Sequence, residues 1–171
     1  MDLPAVAIRD DRDGASRRDL PIELDPLGEL LATVLASEGV PPRAEASLQL
    51  VSSDTIAHLN AQHLGGDGPT DVLSFPIDGA GAADPDADVP GPDDDWMVGD
   101  VVVCAEIAAA QAADHAGTLA DELALLVVHG GLHLCGWDHA DDDERSAMWQ
   151  RERELLTTVD RLPSRDPWSD A

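Results

Sequence analysis

LALLVVHGGLHLCGWDH, residues 123 to 139, decides the fold of this chain. From Leu123 to Cys135 the only polar side chains are His129 and His133. A helix that is apolar on every face lies inside a protein. Thr118 followed by Asp121 fits a capping box, with Asp in place of the usual Glu. The spacing therefore predicts a buried helix from Thr118 to about Gly136. His129 and His133 stand at i and i+4, so they share one helix face. Burying two imidazoles without partners is costly, because each ring has a donor and an acceptor to satisfy.

A metal ion satisfies both rings. Gly136 tolerates a positive φ and lets the chain leave the helix sharply. His139, three residues on, then returns to the same face. The spacing H-x-x-x-H-x-x-G-x-x-H matches the ligand spacing of the metzincin proteases. It departs at Gly130, where those enzymes carry a glutamate general base. Taken singly, each histidine reads as a core or surface residue; three at this spacing read as metal ligands. Zinc held by three imidazoles keeps a fourth position open for water, the arrangement of a catalytic site. Three imidazoles also accept other first-row metals. Cys135 lies two residues from His133, about 160° around the helix. It reads as core, and so do both free thiols of a two-cysteine chain, Cys104 and Cys135. His58, His63 and His115 are scattered and read as ordinary residues.

Around this helix the chain alternates strands and helices. LPAVAIR, 3 to 9, reads as a strand, and a polar, basic loop follows through Arg17 and Arg18. Asp25-Pro26 opens a helix whose face is Leu27, Leu30, Leu31, Val34 and Leu35, ended by Gly39. ASLQLVS, 46 to 52, reads as a strand, and Ser53-Asp54 starts a short helix to about Leu64. DVLSFPI, 71 to 77, is a strand whose Pro76 places it at a sheet edge or strand end. Residues 78 to 95 are rich in Asp, Ala, Gly and Pro and read as a flexible acidic loop. VGDVVVC, 98 to 104, is a β-branched strand, followed by a helix from about Ala105 to Ala116. The last helix runs from about Asp141 to Val159. Four strands and about five helices in mixed order predict an α+β fold, with the helices packed on one small, mostly four-stranded mixed sheet. One domain covers residues 1–160, and 161–171 read as a disordered tail.

The formal charge is −25, from 35 acids and 10 bases, and there is no lysine. Between Arg43 and Arg145 stand 21 Asp and Glu and no Lys or Arg. Such a surface repels nucleic acid and anionic membrane. No apolar run reaches membrane-spanning length, and the N-terminus lacks the features of a signal peptide, so the expected location is the cytoplasm.

HGGLHLCGWDH, 129 to 139, with PTDVLSFP at 69 to 76, VGDVVVC at 98 to 104, LN at 59 to 60, and Met148 and Glu152 in the last helix, resembles the YbeY family of bacterial metal-dependent endoribonucleases. The resemblance covers roughly residues 45 to 155. It implies an α+β fold related to the zincins and one catalytic zinc per chain on His129, His133 and His139. It further implies cleavage of single-stranded RNA, late maturation of small-subunit (16S) rRNA, and ribosome quality control. The partners it implies are RNA, the ribosome and ribosomal proteins. The family often carries arginine six residues before the threonine of TDV; Leu64 holds that position here.

In a metal-dependent hydrolase of this kind, zinc activates its bound water and polarises the phosphoryl oxygen. With no glutamate at 130, Asp138 is the candidate acid or base; it equally suits a hydrogen bond to a ligand histidine or a helix cap. Asp71 and Ser74 are candidates for substrate binding, or for strand-end and turn chemistry. Two other readings stay open. The spacing fits a metallopeptidase, and the acidic surface fits a zinc-stabilised ribosome-associated factor without enzymatic activity.

Overall fold

A computed structural model describes residues 2–79, 86 and 88–169. Four strands form one sheet: β1 (Ala5–Asp10), β2 (Glu45–Val51), β3 (Val72–Pro76) and β4 (Met97–Cys104), in the order β1-β2-β4-β3. β1, β2 and β4 are parallel, and β3 runs antiparallel along β4, with Ser74 opposite Val101. β3 is an edge strand, as its proline requires. The helices are α1 (Gly14–Asp19), α2 (Asp25–Ser37), α3 (Ser53–Leu64), α4 (Ala105–Gln111), α5 (Leu119–Leu134) and α6 (Asp142–Thr158). The fold is thus the expected α+β, with six helices rather than five.

β4 is buried on both faces, which is why it reads as an unbroken apolar run. Val101 and Val103 face the main core, with Leu48 and Leu50 of β2 and the helices α2 and α5. Val102 and Cys104 face a smaller cluster with Ile56 of α3 and Leu73 of β3. At Gly99 the register slips by one residue against β2. Its φ is +152°, and a Cβ there would run into the carbonyl oxygen of Phe75, so only glycine serves this bulge.

α5 runs between sheet and helix. A Cβ on Gly130 would stand 2.7 Å from Val101 Cγ1, and one on Gly131 would stand 2.9 Å from Leu31 Cδ1. The two glycines of the HGG triplet are therefore the points where α5 presses on β4 and on α2. Packing at this distance leaves no room for a side chain.

Four expectations need correction. The basic stretch after β1 is not a loop throughout: Asp13 caps α1 by accepting from Ser16 N at 2.7 Å. Its six residues, GASRRD, bury nothing and so show no periodicity. The helix after β4 ends at Gln111 and tightens into a 3-10 turn, Ala112–Asp114, where the amides of His115 and Gly117 both bond the Ala112 carbonyl. The tail does not hang free: Trp168 is only 9 % exposed and packs against the main core. Proline and charge hid it, since its single large apolar ring has no local partner. In the acidic stretch 78–95, residues 80–85 and 87 lie outside the described residues. The part near its end is tied down, because Arg43 donates to the carbonyls of Pro90 and Asp94.

Among the described residues no helix is long and apolar enough to cross a membrane. Both cysteines are buried, and burial pushes the Cys135 thiol up to about 12.

Candidate metal centre

The C-terminus of α5 builds the site. Cys135 caps the helix, and Gly136 follows with φ +91°. The Gly136 amide bonds the His133 carbonyl and the Trp137 amide bonds the Leu132 carbonyl, each at 3.1 Å. This is a Schellman closure, which needs a left-handed residue at Gly136. It reverses the chain so that His139 comes back over His129 and His133. The ligand atoms of the three histidines lie within 4.8 Å of one another.

Each of the two half-buried rings is held from behind. His129 Nδ1 donates to Glu152 Oε1 at 2.6 Å, and His133 Nδ1 donates to the Trp137 carbonyl at 2.8 Å. A carboxylate and a carbonyl oxygen only accept here, so both rings carry their proton on Nδ1. Their Nε2 lone pairs then meet at 3.1 Å. Two nitrogens on a tetrahedral zinc stand about 3.3 Å apart, given Zn–N distances of roughly 2.0–2.1 Å. A single proton could bridge two of these nitrogens, whereas a metal ion would engage all three. Burial, followed by the neighbouring His129 and His139, lowers the His133 pKa to about 4, which keeps its lone pair available. The three histidines could hold a metal ion, and their donor set suits zinc.

The triad lines an open cleft of about 570 Å³. β3 forms the opposite wall with Asp71 and Ser74, and Leu64, the last residue of α3, closes one end. Leu64 is 56 % exposed, and no Lys or Arg is among the described residues lining the cleft. Two of the chain's arginines are engaged elsewhere. Arg12 is buried on Asp10 and the Leu20 carbonyl, holding the Asp10 carboxyl below the usual range, and Arg151 binds Glu38.

The other expected site residues take these places. Ser74 lines the cleft and donates its hydroxyl proton to the Gly130 carbonyl at 3.0 Å, joining β3 to α5. Asp71 lines the cleft, but its carboxylate accepts from its own neighbour Val72 N and from Gln111 Nε2. Asp138 lines the cleft with one oxygen accepting from the His139 amide at 2.8 Å. Cys135 is fully buried in the core. His58 is exposed, and His63 packs edge-on to Phe75.

Glu122, Gln111, His115 and Trp168 carry structure around the site that their spacing did not announce. Glu122 is 0 % exposed and accepts from Gln111, His115 and the Ala116 amide. Gln111 passes the link on to Asp71, so one polar chain ties the cleft wall to the start of α5. Glu122 sits in the first turn of α5, where an acid is expected for the helix dipole alone. Replacing Glu122 by leucine should cost about 3 kcal/mol, because three donors lose their acceptor. Urea unfolding measures this, and an unchanged midpoint would contradict it.

The model of the family described as Endoribonuclease YbeY matches residues 19–160. The chain belongs to the YbeY family. An Endoribonuclease YbeY of Corynebacterium glutamicum is 47% identical over 130 residues, covering 75% of this chain and 65% of that protein. One of Mycolicibacterium vanbaalenii is 48% identical over 124 residues, covering 72% of this chain and 66% of that protein. The matched stretch thus spans slightly less than two thirds of these relatives' own length. The solution structure of TM1509 from Thermotoga maritima is similar with a TM-score of 0.53 and 29% identity, over 96% of this chain and 97% of that one. Within this YbeY chain, Glu152, His129 and the Schellman turn all lie inside the matched stretch, whereas Trp168 lies beyond it.

Proposed function

We propose that this chain is a zinc-dependent endoribonuclease that cleaves single-stranded RNA, acting in the cytoplasm in late maturation of small-subunit rRNA and in ribosome quality control. The observation that carries the reading is the convergence of three imidazole nitrogens on the floor of an open cleft. The relatives' name, Endoribonuclease YbeY, supports RNA as the substrate class, and the ribosome and its proteins follow as partners.

His129, His133 and His139 hold the ion. When bound by these residues, zinc would supply Lewis acidity and lower the pKa of a water in the cleft. Glu152 and the Trp137 carbonyl fix the tautomers, so both Nε2 atoms stay free of protons. Ser74 donates its hydroxyl hydrogen bond to the Gly130 carbonyl, which leaves its oxygen lone pairs to accept from a ribose hydroxyl. Asp138 uses one oxygen on the His139 amide; we assign the other as the proton carrier for water and leaving group. Asp71 lines the same cleft and is tied to α4 through Gln111.

Incubation of the zinc-loaded chain with single-stranded RNA, duplex RNA and casein tests this. Cleavage of single strands alone is expected, and loss of it on chelation. Casein cleavage without RNA cleavage would favour a peptidase instead.

Among the described residues no Lys or Arg lines the cleft, which gives weight to a second reading, a ribosome-associated factor that works by protein contacts. Ribosome co-sedimentation of the zinc-free chain, with RNA left intact by the loaded one, would support it. The same feature gives a prediction. Leu64→Arg puts a guanidinium at the end of the cleft. Affinity for single-stranded RNA should rise about threefold to tenfold at low salt, and the salt slope should steepen by about 0.7 for one phosphate contact. Unchanged affinity and slope would show that RNA does not run past Leu64.

A further inference from the structure

The tail beyond the matched family stretch reaches the metal ligands through one intermediate. Residue Ser164 donates from its amide and hydroxyl to Asp121 Oδ2 at 3.1 and 2.6 Å, and the Arg165 amide bonds the Ala116 carbonyl. These bonds lay the tail across the start of α5. Gly117, with φ +115°, clears the path: a Cβ there would run into Ser164 Oγ. The tail then delivers Trp168 to the side of α6 that faces α5, beside Glu152. Its indole Nε1 donates to Glu152 Oε2 at 2.8 Å, in a buried setting, with Arg153 over the ring at 4.8 Å.

Glu152 is 2 % exposed, and its other oxygen is the one that holds His129 Nδ1. A carboxylate rotates about its last bond unless both oxygens are engaged. Without the indole, Glu152 has one anchor and can turn away from the imidazole. A buried acceptor would also be left without a donor.

We propose that Trp168 is a positioning residue of the metal centre, locking Glu152 so that Glu152 locks His129 toward the ion. The inference rests on the zinc reading given above. It makes the C-terminal segment part of the site's outer support, where such partners raise metal affinity by about 10–100-fold.

The test is a double-mutant cycle on the full chain, with zinc affinity read by competition against a chromophoric chelator. Trp168→Phe keeps the ring and removes the N–H. It should weaken zinc binding about tenfold, while the zinc-free protein stays folded with a melting temperature lower by several degrees. Glu152→Gln should weaken binding at least as much. Because Trp168 acts through Glu152, the double variant should bind zinc no more weakly than Glu152→Gln alone. Wild-type affinity in Trp168→Phe, or additive losses in the double variant, would overturn the inference. Linkage gives a measurement that needs no variant: zinc should slow hydrogen exchange at the Trp168 indole N–H, one of four tryptophans in the chain. Exchange indifferent to zinc would also overturn it. A wild-type chain that takes up no zinc at all would instead sink the zinc reading itself, and this inference with it.

Discussion

His133→Ala should abolish zinc uptake and RNA cleavage together and leave the chain folded. His133 is the middle one of the three candidate ligands, with its Nε2 at 3.1 Å from that of His129 and its Nδ1 fixed by the Trp137 carbonyl. Removing it takes away one of three ligands, a greater loss than the roughly 10–100-fold cost of removing an outer partner. Two imidazoles and solvent do not make a tight zinc site at neutral pH. Folding survives because the side chain faces the cleft rather than the main core, and alanine favours a helix. Metal analysis after dialysis and a gel assay on single-stranded RNA check both halves. Retained cleavage at the wild-type rate would remove the triad from the mechanism.

Gly130→Glu should fail to make a peptidase and should unfold or cripple the protein. In proteases with the same ligand spacing this position holds the general base. Here α5 lies so close to β4 that a Cβ alone meets Val101 at 2.7 Å and Ser74 Oγ at 3.2 Å. Overpacking costs about 1–3 kcal/mol, and a buried unpaired carboxylate adds several more. Stability should therefore drop by at least about 4 kcal/mol in urea unfolding. A stable, casein-cleaving variant would show that the helix has room to move off the sheet. The glycine is thus a packing requirement as well as a missing base, and the geometry weighs against the peptidase reading.

Legibility in the sequence followed locality. α5 and the return of His139 are written in one segment, because ligand spacing, helix period and Gly136 all act within about two turns. The four strands show as β-branched or alternating runs, and Pro76 marked the edge. What stayed hidden depends on distant partners. Glu122 looked like a first-turn acid but is held by Gln111 and His115 across a turn. Trp168 sits in a stretch rich in proline and charge, yet it docks on a carboxylate one helix away. Glu152 was visible as a family match, but its task, holding His129, needed the geometry. α1 escaped because a helix that buries nothing carries no apolar period.

The most direct measurement is a titration of zinc into metal-free protein while cleavage of a single-stranded RNA is followed. The account predicts no cleavage without zinc, a linear rise, and a break at about one equivalent per chain, the capacity of a single three-histidine site. Cleavage that is already complete without metal, or absent with one zinc bound, would contradict it.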